Sequence, residues 1–168
     1  MSAAGSGRAP VVRPLGADER AWARDVLTER WGGVSAVSRG AVHDLTMLPT
    51  LVAELDGERA GLATYRIADD ACELVTLDAL RERSGVGTAL IDAVAEEARA
   101  AGAERLWLIT SNDNLPAVRF YQRRGLDLVA VHHDAITRAR ILKPAIPQFG
   151  IDGIAIRHEL ELELPLRR

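Results

Sequence analysis

The sequence predicts a single α/β (α+β) domain, in which a mixed, mostly antiparallel sheet carries helices on both faces. Three observations support this fold class. The chain has 168 residues, the size of one ordinary domain. Segments with strand periodicity alternate with amphipathic helical segments along its second half. One strand, residues 106–110, is nearly all apolar, as expected of a parallel strand between two layers of helices.

The N-terminal half predicts a strand, a helix and three further strands. Asp18 can cap the helix and Gly32-Gly33 can stop it. Asp56-Gly57 joins two strands, a pair typical of tight hairpins. We expect residues 34–49 to be mostly irregular, because their hydrophobic periodicity is mixed. The predicted elements are the strands 11–15, 51–55, 60–67 and 72–77 and the helix 18–31.

The C-terminal half alternates helices and strands. Gly102 ends the clearest amphipathic helix, and Asn114 can cap a second helix that ends at Gly125. Residues 132–156 form a long connection with one helical stretch. The last strand alternates Glu and Leu, a pattern typical of a half-buried antiparallel strand. The predicted elements are the helices 88–101, 114–124 and 136–142 and the strands 106–110, 126–131 and 159–164.

Composition and charge exclude several classes of protein. Hydrophobic residues make up 48% of the chain and charged residues 27%, so it can bury a core and is not disordered throughout. A formal net charge of −3 gives no global signature of a nucleic-acid or anionic-membrane partner. No run of about 18 apolar residues could span a membrane. The single Cys72 forbids an internal disulfide, which fits a reducing compartment.

Residues 1–10 lack the apolar stretch of a secretory signal and predict a flexible N-terminus. We therefore expect a cytoplasmic protein with one domain over residues 11–168.

The segment from residue 72 to residue 90, CELVTLDALRERSGVGTAL, joins a strand to a helix through a glycine-containing turn. Free backbone N–H groups converge at such a turn, where the helix dipole is positive, and can form a cradle for an anion. Gly85 and Gly87 would let the backbone approach a phosphate closely, and Arg81 and Arg83 add positive charge. A tight turn that binds nothing would also need glycine, so Gly-x-Gly alone leaves both interpretations open.

Two familiar nucleotide motifs do not fit this segment. A dinucleotide fingerprint needs a third glycine, at the place where this sequence has Leu90. A P-loop needs a lysine after its last glycine, but Gly87 is followed by Thr88.

Two motifs, in this order, resemble those of the GNAT superfamily of N-acetyltransferases. Arg83-Ser84-Gly85-Val86-Gly87, after a Glu-Leu-Val-Thr-Leu strand, is similar to the superfamily's acetyl-CoA motif. Asn114-x-x-Ala117-x-x-Phe120-Tyr121-x-x-x-Gly125-Leu126 is similar to its second hallmark. The predicted element order also matches over residues 11–164, outside residues 34–49. The superfamily pattern begins with Arg or Gln where this sequence has Glu82, so Arg81 or Arg83 would have to replace that donor.

The resemblance implies a GNAT-like domain that takes acetyl-CoA as its acyl donor. The central parallel strands would splay apart, and the pantetheine arm would lie in the gap as a pseudo-strand, bonded to the backbone of Leu77 and Ala79. Asn114 and Tyr121 would contact the coenzyme as well, although capping alone also explains Asn114. The turn that would hold the pyrophosphate comprises Arg83, Ser84, Gly85, Val86, Gly87 and Thr88.

Acetyl transfer to an amine needs a neutral amine, a donor for the developing oxyanion and a proton for the leaving thiolate. By resemblance, Tyr121 would be the acid and the Leu77 N–H the oxyanion donor; the alternative for Tyr121 is packing beside Phe120. Glu73 is a candidate base. Period-2 alternation places Glu73, Val75 and Leu77 on one face, and a carboxylate among apolar neighbours suits a base that works near neutral pH. A solvent-exposed Glu73, or a water chain as the base, stays open.

The expected acceptor is a primary amine of a small molecule or a peptide, which would enter between residues 34–49 and the connection 132–156. Cations in this connection could hold an acidic substrate group, although ordinary surface composition favours a solvated helix face. No metal is assigned, since His132-His133-Asp134 lacks a further ligand at fixed spacing. The C-terminal Glu/Leu strand could serve as the edge of a homodimer. The cations in question are His132, His133, Arg138, Arg140 and Lys143.

Two other functions compete with acetyl transfer. Glu82 and the uncertain base suggest a non-catalytic acyl-CoA-binding module or sensor. A phosphate- or nucleotide-binding fold that shares only the glycine turn is the third alternative.

Overall fold

A mixed seven-stranded sheet forms the framework of the protein, as the sequence predicts. The structure is a computed structural model that describes residues 7–167, so residues 1–6 of the expected flexible N-terminus lie outside the described part. The strands of the described chain are Val11–Pro14 (β1), Ser35–Ser38 (β2), Ala41–Asp44 (β3), Thr50–Leu55 (β4), Glu58–Ala68 (β5), Ala71–Ala79 (β6), Arg105–Ser111 (β7), Asp127–His132 (β8) and Glu159–Pro165 (β9).

The helices accompany the sheet in the predicted order. Among residues 7–167 they are Arg20–Trp31 (α1), Val86–Ala100 (α2), Leu115–Arg123 (α3) and Ala135–Leu142 (α4). Short 3₁₀ turns lie at Ala17–Glu19, Leu45–Met47 and Ile151–Gly153. No helix in this range is both long enough and apolar enough to cross a membrane.

The sheet order is β1-β4-β5-β6-β7-β9-β8, and its neighbours are antiparallel except for β6 and β7. Helices cover both faces. On one face, Leu90 and Val94 of α2 are buried against the main core. On the other, Leu27 of α1 packs with Leu62 and Val75 of the sheet. The predicted fold class is therefore confirmed.

Residues 35–44 form a β-hairpin, and a 3₁₀ turn follows at Leu45–Met47, so the expectation that residues 34–49 are mostly irregular is wrong. Strands β2 and β3 pair from Ser35–Asp44 to Ser38–Ala41. Arg39 and Gly40, which join them, both have positive φ, 47° and 79°. This two-residue geometry matches the twist of the strands, but Arg-Gly is not a common sequence for it.

The start of α1 also differs from the prediction. A 3₁₀ turn, Ala17–Glu19, precedes the helix, and Gly16 rather than Asp18 flanks it. The Glu19 carboxylate accepts the Gly16 N–H at 2.9 Å and pairs with Arg13 at 2.6 Å. A glutamate bound in this way satisfies a free donor at the helix start without help from Asp18.

The C-terminal strand β9 lies inside the sheet, between β7 and β8. It therefore cannot be the edge of a homodimer, because both of its backbone edges are already paired. Its glutamate face is not solvated either: Glu159 is 1% exposed and Glu161 is 7% exposed. The β2–β3 turn covers these two side chains through Arg39, whose backbone N–H donates to Glu159 and whose guanidinium pairs with Glu161.

Candidate active site

The parallel strands β6 and β7 pair at one end only. Their register joins Ala71 to Arg105, Cys72 to Leu106 and Glu73 to Trp107. Both strands continue beyond these pairs, to Ala79 and Ser111, without further pairing between them in the described structure. The strands therefore splay apart, as the resemblance implies, and leave a gap in the middle of the sheet.

A β-bulge in β6 lies where this gap begins. The register between β5 and β6 joins Tyr65 to Leu74 and Thr64 to Thr76, so Val75 is an extra residue on β6. An extra residue bends its strand and increases the local twist, which directs the end of β6 away from β7.

The bulge also reverses which face each later side chain occupies. Leu77 packs with Leu74 in the core beneath α2, whereas Val75 packs in the core beneath α1. The prediction that Glu73, Val75 and Leu77 share one face is therefore wrong for Leu77, because it assumed unbroken alternation along β6.

The free edge of β6 presents backbone groups to the gap. Leu80, which follows β6, donates its N–H to the carbonyl oxygen of Ala60 on β5 at 2.8 Å. Backbone groups of successive residues point to opposite edges of a strand, so those of Leu77 and Ala79 face the gap. An extended ligand could pair with them as an added strand.

The turn after β6 opens directly into α2. Gly85 precedes the helix with a φ of 79°, and a Cβ built there would meet no atom within 4 Å. Arg83 is left-handed too, and the Ser84 hydroxyl donates to the Arg81 carbonyl at 2.6 Å. The Ala89 N–H donates to the Gly85 carbonyl at 2.9 Å. The N–H groups of residues 86–88, before it, are the helix-start donors that such a turn offers an anion.

The two arginines around this turn differ in whether they are already paired with carboxylates. Arg81 pairs with Glu58 at 2.5 Å and with Asp56 at 3.7 Å, so it is held at the β4–β5 turn. Arg83 is exposed, as is Glu82. Arg81 or Arg83 was predicted to replace the donor missing at Glu82. Of these two, only Arg81 is held by Asp56 and Glu58.

Gly87 serves helix packing. A Cβ on this residue would lie 3.2 Å from Cζ of Phe120 on α3. The absence of a side chain therefore lets α2 and α3 approach, a reason for glycine that the phosphate hypothesis did not include. Next to it, Arg124 donates to the Thr88 hydroxyl at 2.9 Å and places a cation at the start of α2.

Tyr121 on α3 is half-buried and makes an edge-on contact with Phe120, with ring centroids 5.4 Å apart. Burial, and then the negative charge of Asp78, raise the pKa of Tyr121 well above its usual range. Burial likewise raises the pKa of Asp78, although the Trp31 indole N–H donates to its carboxylate at 3.0 Å. The Tyr121 hydroxyl thus stays protonated at neutral pH.

Asn114 caps α3, as the sequence predicts. Its side-chain oxygen accepts the Ala117 N–H at 3.3 Å. Asn114 also borders a cavity on the opposite side of the gap from α2.

Comparison with known proteins agrees with this geometry. The family model described as "Acetyltransferase (GNAT) family" matches residues 20–126, which include the β6–α2 turn and α3. The chain belongs to the GNAT acetyltransferase family.

Individual relatives and solved structures cover most of the acetyltransferase chain. YdhI of Bacillus subtilis (strain 168), an uncharacterized protein, is 39% identical over 137 residues, 81% of this chain and 86% of the relative. A GNAT family acetyltransferase from Elizabethkingia anophelis, solved with acetyl-CoA bound, has a TM-score of 0.69 at 15% identity and covers 93% of this chain and 97% of its own. The ribosomal-protein-S18-alanine N-acetyltransferase from Escherichia coli has a TM-score of 0.67 at 15% identity, with 95% of each chain covered.

Glu73 of the acetyltransferase lies in a polar environment. It is 2% exposed and accepts a hydrogen bond from the Ser38 hydroxyl at 2.5 Å. His43 Nε2 lies 3.7 Å from the other carboxylate oxygen and 3.0 Å from Ser38 Oγ. The expectations of apolar neighbours and of a solvent-exposed carboxylate are both wrong, because the unpredicted hairpin brings Ser38 and His43 over this part of β6.

The cavity beyond the gap has a volume of about 410 Å³. It is bordered by the ends of α1 and β7, by β2, by α4 and by the connection before β9. It lies between residues 34–49 and the connection 132–156, where the sequence predicts that the acceptor enters. A second cavity, of about 550 Å³, lies between α1 and the β1–β4 edge and is not bordered by the residues of the β6–α2 turn.

Side chains at the β7–α3 turn fix the long connection over the cavity. Asn112 accepts the N–H groups of Arg157 and His158, each at 2.9 Å, and donates to the Ala155 carbonyl at 2.9 Å. Buried Asp113 accepts the Ile151 N–H at 3.0 Å. Both side chains therefore hold the connection against the β7–α3 turn.

Two cations of the connection, Arg140 and Lys143, bind backbone carbonyl groups. Arg140 donates to the carbonyls of residues 146, 147 and 156. Lys143 donates to those of Trp31 and Ser35 at 2.6 and 2.5 Å, and burial lowers the pKa of Lys143. Arg140 and Lys143 therefore neither form a cluster that binds an acidic substrate group nor lie on a solvated helix face.

Within residues 7–167, no three His, Cys, Asp or Glu side chains form a group that could hold a metal ion.

Sequence reasoning missed four polar residues of the site. Ser38 and His43 lie on the unpredicted hairpin, and Glu159 lies on a strand that was expected to be only half-buried. Asp78 follows the Glu-Leu-Val-Thr-Leu strand directly, and its place just before the turn was the one available signal.

Proposed function

We propose that the protein is an N-acetyltransferase that moves an acetyl group from acetyl-CoA to a primary amine by direct attack in a ternary complex. The observation that carries this proposal is the gap between β6 and β7, which leads to the open glycine turn at the start of α2. The E. anophelis neighbour was solved with acetyl-CoA, and the name of the E. coli neighbour states N-acetylation of an alanine.

The residues present fit this donor. Leu77 and Ala79 would pair with the pantetheine arm, and the helix-start N–H groups with Gly85 would hold the pyrophosphate. The open space beside Gly85 is where a phosphate could approach the backbone. Arg83 and Arg124 would supply the positive charge that Glu82 does not. Asn114 borders the far side of the gap, where it would contact the coenzyme arm.

The reaction exchanges one bond for another. The amine nitrogen forms a bond to the acetyl carbon, the carbon–sulfur bond breaks, the amine loses a proton and the sulfur gains one. The Leu77 N–H would donate to the acetyl oxygen as negative charge develops on it. Tyr121, which is protonated at neutral pH, would give its proton to the sulfur.

The amine proton needs an acceptor. Glu73 would serve through Ser38, whose hydroxyl bonds to it at 2.5 Å, or through a chain of waters from the cavity. The Ser38–His43–Glu73 group does not form a nucleophilic triad. Glu73 bonds to Ser38 itself and lies at the same ring nitrogen of His43 that Ser38 contacts, whereas a triad carboxylate must hold the opposite nitrogen.

Two measurements test the proposal. Isothermal titration should show saturable binding of acetyl-CoA, and an amine panel should release free thiol and acetylated amine. The absence of binding at millimolar acetyl-CoA would refute the function. Binding without turnover across the panel would favour the acyl-CoA sensor. Preferential stabilisation by ATP over CoA in a thermal-shift assay would favour a nucleotide-binding protein.

A further inference from the structure

The cavity of about 410 Å³ meets the gap at the end of β7. Ile109, Thr110 and Ser111, at the C-terminal end of β7, border it together with Asn114 at the start of α3. These residues follow the part of β7 that pairs with β6, so they lie where the two strands have separated. A molecule in the cavity would reach the gap from the side opposite α2. The volume falls at the small end of the range for small-molecule sites.

Most of the cavity wall is aliphatic. It includes residues from the hairpin, from α4 and from the connection: Ala36, Val37, Ile136, Ala139, Ile146 and Ile156. Such a wall favours an apolar body, because each buried methylene improves affinity about three- to fourfold. A strongly polar acceptor such as a sugar would lose hydrogen bonds to water and find few partners on this wall.

The charged groups at the wall are few and mostly occupied. Lys143 is held by two backbone carbonyls, and Arg30 is exposed at the end of α1. Both would repel a second positive charge on the acceptor. Glu159 is the carboxylate at the wall. It is 1% exposed, and within residues 7–167 it accepts hydrogen bonds from one donor, the Arg39 N–H, at 3.1 and 3.3 Å.

The Glu159 carboxylate can pair with one amino group of the acceptor. Each carboxylate oxygen can accept more than one hydrogen bond, so Glu159 can bind an amino group while it still holds Arg39. Glu73, which does not border the cavity, is occupied by Ser38 beside His43. The wall thus offers a cationic amino group a single sheltered partner and offers the rest of the acceptor an apolar surface.

We infer that the acceptor of the N-acetyltransferase proposed above is a small monoamine with an apolar body, whose amino group binds beside Glu159 and whose hydrocarbon part fills the cavity. This inference rests on the proposed function. It excludes polyamines, multiply charged amino sugars and protein N-termini as preferred acceptors, because each carries a second charge or a bulk that this wall does not accommodate.

A matched pair of probes tests the charge argument. n-Hexylamine and 1,6-diaminohexane have the same carbon chain and differ by one terminal ammonium. With thiol release as the readout, we expect kcat/KM to be at least 100-fold higher for n-hexylamine. From n-butylamine to n-hexylamine, kcat/KM should rise about tenfold, since two further methylenes are buried. Cys72 should give little background in this assay, because burial raises the pKa of its thiol to about 12.

Two register partners on the hairpin test the location. Val37 borders the cavity, whereas Val42, directly opposite it, is 56% exposed and does not. Val37→Phe should raise the KM for n-hexylamine at least tenfold, and Val42→Phe should leave it unchanged. Glu159→Gln should raise the same KM at least tenfold. Acetyl-CoA affinity should stay within twofold in all three variants.

Each result decides between the two proposals. If acetyl-CoA binds but the diamine or an alanine-terminated peptide is the better acceptor, the inference is wrong and the N-acetyltransferase stands. If acetyl-CoA does not bind, the proposed function is wrong. If acetyl-CoA binds without turnover, n-hexylamine titrated into the CoA complex decides: binding that Val37→Phe weakens supports the site, and no saturable binding overturns it.

Discussion

Tyr121 and Asp78 show how single side chains set the protonation state at the gap. The phenol would have to lose its proton beside a buried carboxylate, so its acidic form is favoured far into the alkaline range. The Trp31 indole fixes the Asp78 carboxylate from the other side. At neutral pH the Tyr121 hydroxyl is therefore a hydrogen-bond donor and not a base.

Replacement of Tyr121 by Phe should therefore remove the proton donor and little else. We expect kcat to fall about 100-fold while the dissociation constant for acetyl-CoA changes by less than twofold. Tyr65→Phe, in the other tyrosine of the chain, is the matched control and should leave kcat unchanged. Because the pKa of Tyr121 is raised, the wild-type rate should show no alkaline loss from its ionisation up to pH 10. An unchanged kcat in Tyr121→Phe would exclude Tyr121 as the acid.

Gly85 and Gly87 are two residues apart but are glycine for different reasons. Gly85→Ala keeps open space around the new methyl group but strains a left-handed backbone, which should cost about 1–2 kcal/mol of stability and weaken acetyl-CoA binding at least tenfold. Gly87→Ala should instead lower the melting temperature through its contact with Phe120, and Phe120→Leu should restore it. Calorimetry measures the loss of stability in each variant, and titration with acetyl-CoA measures the loss of affinity. Equal effects on affinity would mean that both glycines line the phosphate site.

At the scale of elements, the sequence predicts the turns and helix caps that depend on a few neighbouring residues. The Asp56-Gly57 hairpin and the Asn114 cap appear as predicted, because turn residues and caps act over a few neighbours. The Arg39-Gly40 hairpin was missed because arginine rarely occupies the left-handed position it takes here. The bulge at Val75 was missed because it depends on the register of β5, far along the chain.

The side chain of Asn112 holds much of the long connection in place. Asn112→Ala removes three hydrogen bonds that tie residues 155–158 to the β7–α3 turn, each of which contributes about 1 kcal/mol. We expect a loss of about 2–3 kcal/mol in stability and faster amide exchange in residues 155–158. Gln148→Ala, at an exposed position of the same connection, is the control. If exchange at 155–158 is unchanged, the connection is held by other contacts.

At the scale of the molecule, the sheet divides the candidate site into two halves. Its α2 face carries the glycine turn and Tyr121, which short motifs identify in the sequence. Its other face carries Glu73, Glu159 and the cavity, assembled from α1, the hairpin, α4 and β9. Sequence reasoning predicted the residues of the first half, and it expected the acceptor to enter between residues 34–49 and 132–156, where the cavity of the second half lies. It could not identify Glu159, because only the sheet order shows that the Glu/Leu strand is internal.

Buried carboxylates on this second face should leave a signature in the pH dependence of stability. Burial, together with the nearby Glu73, raises the pKa of Glu159 above its usual value, against the opposing influence of Arg39 and His132. A raised pKa in the folded state stabilises the protein below the unfolded value, and this contribution is lost as pH rises through the folded value. Glu19 acts in the opposite sense. Arg13 lowers its pKa to about 2, so its contribution is present above the ordinary value of 4.5 and is lost towards pH 2.

Glu159→Gln isolates the contribution of the raised Glu159 pKa to stability. Glutamine is neutral at every pH, and its side-chain oxygen can still accept the Arg39 N–H. The melting temperature of the variant relative to wild type should be lowest near pH 4 and rise by several degrees by pH 8, since 1 kcal/mol corresponds to about 2–4 °C in a domain of this size. Glu29→Gln, at an exposed position on α1, should follow the wild-type curve throughout. A difference between Glu159→Gln and wild type that stays constant from pH 4 to pH 8 would show that Glu159 titrates alike in the folded and unfolded chains. In that case the carboxylate would not be the sheltered partner that a cationic amine needs.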